Sequence, residues 1–247
     1  MRTICLLLAA TALHGGEMIS VRKSEDRGHA EHGWLTTNHT FSFADYYDPH
    51  FMGFRTLRVI NQDIIAAAKG FDTHPHKDME ILTYIIDGTI AHKDTMGNES
   101  QIQKGEFQLM SAGKGVQHSE FNPSKNKQTH LLQIWIQPEK KGLTPEYQQK
   151  SFAEHKQGLK LVVSPDGKEG SLKIHQDARI YLGRFDKAEK MSYATGSNRH
   201  VWVQLIHGSL NLNGESLKTG DGAFASYQKE LIVEAEGGTE FLLFDLN

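Results

Sequence analysis

From residue 57 to residue 136 the chain is a succession of short apolar runs, each ended by a polar or glycine-bearing turn. Residues 57–61, 81–86, 89–94, 107–110, 116–120 and 131–136 have the length of strands, and none is long enough to stand as a helix. Asp87-Gly88 is a hairpin signal, and Met96-Gly97-Asn98, Lys104-Gly105-Glu106 and Ser111-Ala112-Gly113-Lys114-Gly115 turn the chain again. Short strands joined this way predict an all-β sandwich or barrel. Only residues 145–150 look helical; together with the stretch that begins at Pro138 they read as a linker.

Two stretches give such a barrel its chemistry: His74-Pro75-His76-Lys77-Asp78-Met79-Glu80 and His118-Ser119-Glu120. Alternate side chains of a strand share a face, so His74 and His76 point one way together, and so do His118 and Glu120. Brought to one point inside a barrel, they offer three imidazoles and a carboxylate. That set suits one divalent transition metal with positions left open for water or substrate. Fe(II) is the first choice, with Cu, Ni, Mn, Co and Zn as competitors. A lone His-x-His in a chain with 14 histidines would mean little; the second pair, also beside a strand-like run, is what makes a metal site the better reading. Glu80 has the parity of His74 and His76, so spacing alone leaves open whether Glu80 or Glu120 completes the set.

Composition narrows the rest. At 247 residues there is room for two small domains, and 38% apolar residues can fill their cores. A net charge of −3 gives no electrostatic reason for direct nucleic-acid binding. Cys5 is the single cysteine, which excludes an internal disulfide framework. It lies in an unusual leader, residues 1–17. Arg2, the apolar run from Ile4 to Ala10, and Ala10-Thr11-Ala12 have the form of a short secretory signal, too short to span a bilayer. The other reading is a start at Met18, with Gly15-Gly16-Glu17 encoded by purine-rich codons of a ribosome-binding region.

His29, His32 and His39 share no spacing and read as loop or hydrogen-bonded positions. Phe41, Phe43, Tyr46, Tyr47, Phe51 and Phe54 read as packing over the core, with lining of a pocket for a flat ligand as the alternative. The second half repeats the first faintly: Ile206-His207-Gly208-Ser209-Leu210 parallels Ile86-Asp87-Gly88-Thr89-Ile90. That offset puts Ala194 and Gly196 where His74 and His76 stand; the offset of a second match, Lys218-Thr219-Gly220-Asp221 with Lys104-Gly105-Glu106, puts residues 233–235 where His118 stands. His200 and His207 differ in parity, so no second metal site is expected.

Arg27-Gly28-His29-Ala30, His39-Thr40-Phe41-Ser42-Phe43, Tyr46-Tyr47-Asp48-Pro49, the two histidine stretches and Met110-Ser111-Ala112-Gly113 together resemble the bacterial pirin family. The resemblance runs from Met18 almost to the C-terminus. It implies a bicupin: two cupin β-barrels in tandem, metal-binding at residues 18–138 and without ligands at residues 151–247, joined by a linker at 139–150. It implies His74, His76, His118 and Glu120 as the ligands and leaves Glu80 as a group that orients a ligand imidazole, forms a buried ion pair or anchors a loop. Because the family begins at the equivalent of Met18, it favours the internal start and a cytoplasmic protein, export following only from a true signal. Several bacterial pirins are quercetin 2,3-dioxygenases, so the resemblance implies O2 and a flavonol-like aromatic as reactants, with Glu120 as catalytic base. The chain is expected to be a monomer, with no nucleic-acid or membrane partner and with room for a protein partner. The alternatives are a metal-binding regulatory pirin without turnover and a different cupin chemistry.

Overall fold

The computed structural model describes residues 19–247, in which strands and two 3-10 turns, Ser24–Asp26 and Lys168–Gly170, are the only regular elements. Residues 1–17, with both readings of their role, lie outside the described residues. Among the described residues no helix is long and apolar enough to cross a membrane.

In the first half a seven-stranded sheet runs in the order Glu146–Ser151, Glu106–Ser111, Glu80–Asp87, Thr129–Ile136, Leu57–Ile65, Leu35–His39, Gly28–Glu31. A four-stranded sheet, Gly70–His76, Val116–Phe121, Thr89–Asp94, Glu99–Gln103, faces it. The second half repeats the plan. Its large sheet runs Ser20–Arg22, Gly222–Ser226, His200–His207, Thr239–Leu246, Ala178–Phe185, Gln157–Ser164, Leu172–Lys173, and its small sheet runs Glu189–Ala194, Glu230–Ala235, Ser209–Leu212, Glu215–Lys218. The expected all-β pair of barrels is what the chain forms.

The largest core lies between the halves, where the two large sheets pack back to back. Phe41, Leu57, Ile60, Tyr84, Leu132 and Ile134 meet Val162, Ile180, Trp202, Leu242 and Phe244 there. Burial of each such side chain contributes about 1.5–3 kcal/mol. One polar clasp crosses this core: Arg184 donates to Glu240 at 2.7 Å and to the Tyr84 hydroxyl at 2.7 Å, and Tyr84 donates to Glu240 at 2.5 Å.

Edge strands are exchanged between the halves. Ser20–Arg22 pairs with Gly222–Ser226 of the second large sheet, and Glu146–Ser151 pairs with Glu106–Ser111 of the first. The helix expected over residues 145–150 is therefore a strand. So short a segment gains too few internal hydrogen bonds to nucleate a helix, whereas the open edge of Glu106–Ser111 satisfies its backbone at once. Tyr147 fixes it further, its hydroxyl 2.5 Å from Ser100 and its ring 4.9 Å from that of His92.

The barrel interiors differ in one respect that matters for function. The second is filled by one apolar cluster that includes Val203, Leu210, Leu231, Val233, Ala235 and Leu243. In the first, apolar packing is split into a cluster around Ile65, Ile85, Ile90 and Ile102 and another around Ile81, Met110 and Val116. Buried polar side chains, among them Thr83, His118 and Glu120, are left in the same interior.

Candidate metal centre

His118 and Glu120 alternate with exposed or half-buried neighbours along Val116–Phe121, which turns both into the barrel. The adjacent strand Gly70–His76 places His74 directly opposite His118 and His76 opposite Val116. Between His118 and Glu120 the register slips, because Glu120 faces Phe71 and Gly70–His76 carries one extra residue there. Such a bulge twists a strand and re-aims its side chains. Gly70 permits the close approach: a Cβ there would fall 2.2 Å from the Glu120 carbonyl oxygen.

The result is three imidazoles packed ring to ring, His74 and His118 at 4.5 Å, His74 and His76 at 4.8 Å, His76 and His118 at 4.9 Å between centroids. One ring nitrogen from each lies within 4.8 Å of the others. His74 Nδ1 donates to the Asp72 carbonyl at 2.7 Å, a bond that leaves its Nε2 as the lone-pair nitrogen. His118 Nδ1 lies 3.4 Å from Nδ1 of His92, and Nε2 of His92 lies 3.0 Å from Asp94. A carboxylate only accepts, so His92 donates from Nε2 and accepts at Nδ1 the hydrogen bond that His118 Nδ1–H donates, which leaves His118 Nε2 with its lone pair free. That Nε2 is buried without a hydrogen-bond partner.

Burial, reinforced by His74 and His76, holds the His118 imidazole far below its ordinary pKa, and burial with His74 brings His76 down to about 4. His76 and His118 are then neutral donors at neutral pH, as a metal requires. Glu120 Oε1 accepts from Thr83 at 3.3 Å and Oε2 from Gln133 at 2.9 Å. Burial pushes its carboxyl up to about 7, aided by the charge of Asp63. A cation beside it would favour the ionised form. The buried unpaired Nε2 and the neutral imidazoles fit a divalent metal. His92, His118 and Glu120 also bring ligand atoms within 4.8 Å of one another, but both nitrogens of His92 face other side chains, so His92 stands behind His118.

His74, His76 and Glu120 open onto a cavity of about 470 Å³, walled by Trp34, Phe43, Phe71 and Trp135 and by the polar side chains Thr37, His39, Asn61, Asp63 and Gln133. The aromatic stretch after His39 is divided in its duties. Phe43 lines the cavity, while Phe41, Phe51 and Phe54 join the core between the halves. Tyr46 accepts from Arg22 at 2.8 Å, and Tyr47 is 71% exposed.

The family signature described as Pirin matches residues 20–136, and that described as Quercetinase C-terminal cupin domain matches residues 161–246. The quercetin 2,3-dioxygenase of Escherichia coli K12 is 52% identical over 229 residues, 93% of this chain and 99% of that protein. The chain belongs to the pirin family. The crystal structure of YhhW from Escherichia coli superposes on this pirin with a TM-score of 0.91 at 52% identity, covering 93% of this chain and 98% of that one. A second crystal structure, of bacterial pirin YhhW in complex with nickel(II) from Escherichia coli, gives 0.89 at the same identity and covers 93% and 99%. By these likenesses this pirin is an enzyme of the oxidoreductase kind with a metal-binding cupin barrel.

The second barrel of the pirin has the same strand pairs with other side chains. Leu212, placed after Gly208 as His92 is after Gly88, lies opposite Val233 as His92 lies opposite Glu120, so Leu231 and its partner Tyr193 stand where His118 and His74 do. The positions expected from the sequence offset, Ala194 and Gly196, are thus displaced, because an offset counted from a hairpin ignores loop length. Among the described residues no group of metal-ligating side chains occurs there.

Glu80 does not share the face of His74 and His76. The chain breaks at Asp78, whose φ is 50°, and the two segments enter different sheets, so alternation does not carry across. Glu80 accepts from the Ser111 hydroxyl at 2.8 Å and from the His175 backbone at 3.4 Å, anchoring the second half to the first and orienting no ligand imidazole. His92 and Asp94 were not foreseen. Their alternation with Ile90 on a returning strand was the available signal. His39, expected at a loop or hydrogen-bonded position, is buried at the cavity wall and bonds Asn61 at 2.8 Å.

Proposed function

We propose that His74, His76, His118 and Glu120 hold one divalent transition metal and that the protein is a dioxygenase acting on flavonols such as quercetin. The observation that carries this reading is the buried, unpartnered Nε2 of His118 among the imidazoles of His74 and His76, beside an aromatic-walled cavity. Support comes from the 52% identical quercetin 2,3-dioxygenase and the nickel(II) complex of its kind of fold. Fe(II) remains the first choice of metal by donor type, and Ni(II) gains from that complex.

Bound there, the metal would supply Lewis acidity to the flavonol 3-hydroxyl. Glu120, whose carboxyl burial holds near neutrality, accepts the hydroxyl proton. Trp34, Phe43, Phe71 and Trp135 hold the flat ring system and keep bulk water out. Deprotonation makes the central ring electron-rich. In the overall reaction O2 is reduced, two carbon–carbon bonds of that ring break, both oxygen atoms enter the ring-opened ester acid, and the carbon between the broken bonds leaves as carbon monoxide.

The test is simultaneous measurement of O2 uptake, quercetin loss and carbon monoxide release by the protein loaded separately with Fe(II) and Ni(II). Equal molar amounts of all three are expected. Turnover no faster than free metal in buffer would reject the dioxygenase and leave a metal-binding protein.

A further inference from the structure

The cavity wall across from the imidazoles is a polar strip made by alternate residues of neighbouring strands. Thr37 faces Asp63, and His39 faces Asn61, which in turn faces Gln133. Most of this strip is satisfied within the protein: His39 bonds Asn61 at 2.8 Å, and Gln133 donates to Glu120 at 2.9 Å.

Asp63 and Thr37, which face each other, are the exceptions. Asp63 is 4% exposed, lines the cavity and has its Oδ1 without a settled hydrogen bond; the Thr37 hydroxyl is the donor within the protein that neighbours it, and one hydroxyl leaves further carboxylate lone pairs to be met. Among the described residues no lysine, arginine or histidine forms an ion pair with Asp63. A buried carboxylate left this way is costly, and native proteins keep one chiefly where a ligand completes it. An ionised carboxylate only accepts, so the completing group is an O–H or N–H donor. The aromatic side chains around the cavity call for that donor to sit on a flat ring. The reacting hydroxyl is held at the imidazoles, so the donor is a second one.

We propose that Asp63 accepts a hydrogen bond from a second phenolic hydroxyl of the substrate and so selects polyhydroxylated flavonols over those bearing the reacting hydroxyl alone. The assignment rests on the flavonol reading above and names the side chain that reads the substrate's far hydroxyls. Asp63 is a binding residue here; proton transfer stays with Glu120.

The experiment compares the metal-loaded wild type with Asp63→Asn and Asp63→Leu. Quercetin is set against 3-hydroxyflavone, which keeps only the reacting hydroxyl. Anaerobic binding is followed by quenching of protein fluorescence, metal content is measured on every sample, and kcat and KM follow in air. The wild type should prefer quercetin. Both variants should bind quercetin at least tenfold more weakly, the scale of a hydrogen bond to a charged group, with 3-hydroxyflavone affinity and metal content unchanged. Variants that keep the wild-type preference, or that lose both ligands equally with metal retained, overturn the proposal. Wild type that binds quercetin with the preference but releases no carbon monoxide rejects the dioxygenase while upholding Asp63. Wild type that binds neither flavonol overturns both.

Discussion

The imidazoles of His118 and His92 meet nitrogen to nitrogen at 3.4 Å, and His92 passes its other nitrogen to Asp94 at 3.0 Å. Asp94 is itself held by the backbone N–H groups of Met96 and Asn98 at 2.9 and 3.0 Å and by the Asn98 amide at 2.9 Å. The turn at residues 94–98 thereby dictates which nitrogen of His118 is free. A partner of this kind fixes ring orientation and tautomer at a metal site.

Replacing His92 with Phe keeps the packing against Tyr147 and removes that control. Metal affinity, measured by competition with a chelator, should weaken by roughly 10- to 100-fold while the strand content seen by circular dichroism is unchanged. Unchanged affinity would reduce His92 to a space-filling role.

The metal should be confined to one barrel. His118→Ala should strip most bound metal, and His200→Ala and His207→Ala should leave it in place, since Tyr193 and Leu231 occupy the strand positions of His74 and His118 in the second barrel. Elemental analysis should give close to one ion per chain. A value near two, or full loading of His118→Ala, would break the single-site assignment.

Glu120→Gln separates holding from proton transfer, because an amide still presents an oxygen but is a far weaker base. With metal loading matched, turnover of quercetin should fall by about 10²–10⁴. If the variant turns over normally, the proton goes elsewhere and Glu120 loses its role as base.

Asp63 makes stability depend on pH. Burial raises its carboxyl to about 6 in the folded chain against an ordinary 3.8. The folded state thus binds this proton more tightly than the unfolded one, so the contribution is whole below about pH 4 and is lost as pH climbs through about 6. Asp63→Asn, without the proton to lose, should gain about 3 kcal/mol on the metal-free wild type across that window. Urea unfolding of both proteins at several pH values measures it; a difference that does not change with pH contradicts the assignment.

Much of this protein was legible before folding because strand alternation is a local property. The parity of His74 with His76 and of His118 with Glu120, and the glycine turns after short apolar runs, followed from the two-residue period of an extended chain. Glu80 shows where that reasoning fails: one residue with positive φ, Asp78, separates two strands that alternation treats as one.

The sequence by itself determined the all-β architecture, the pairing of histidines on shared faces and the absence of their counterparts from the second half. Only the tertiary structure decided which strands lie side by side. Pairing partners far apart in the chain brought His92 behind His118, carried Ser20–Arg22 to the second barrel and Glu146–Ser151 to the first, and set Asp63 unpaired in the cavity wall. The physical reason is that a strand's backbone bonds equally well to any open edge. Its partner is chosen by burial summed over the whole fold, a quantity that no local stretch of sequence contains.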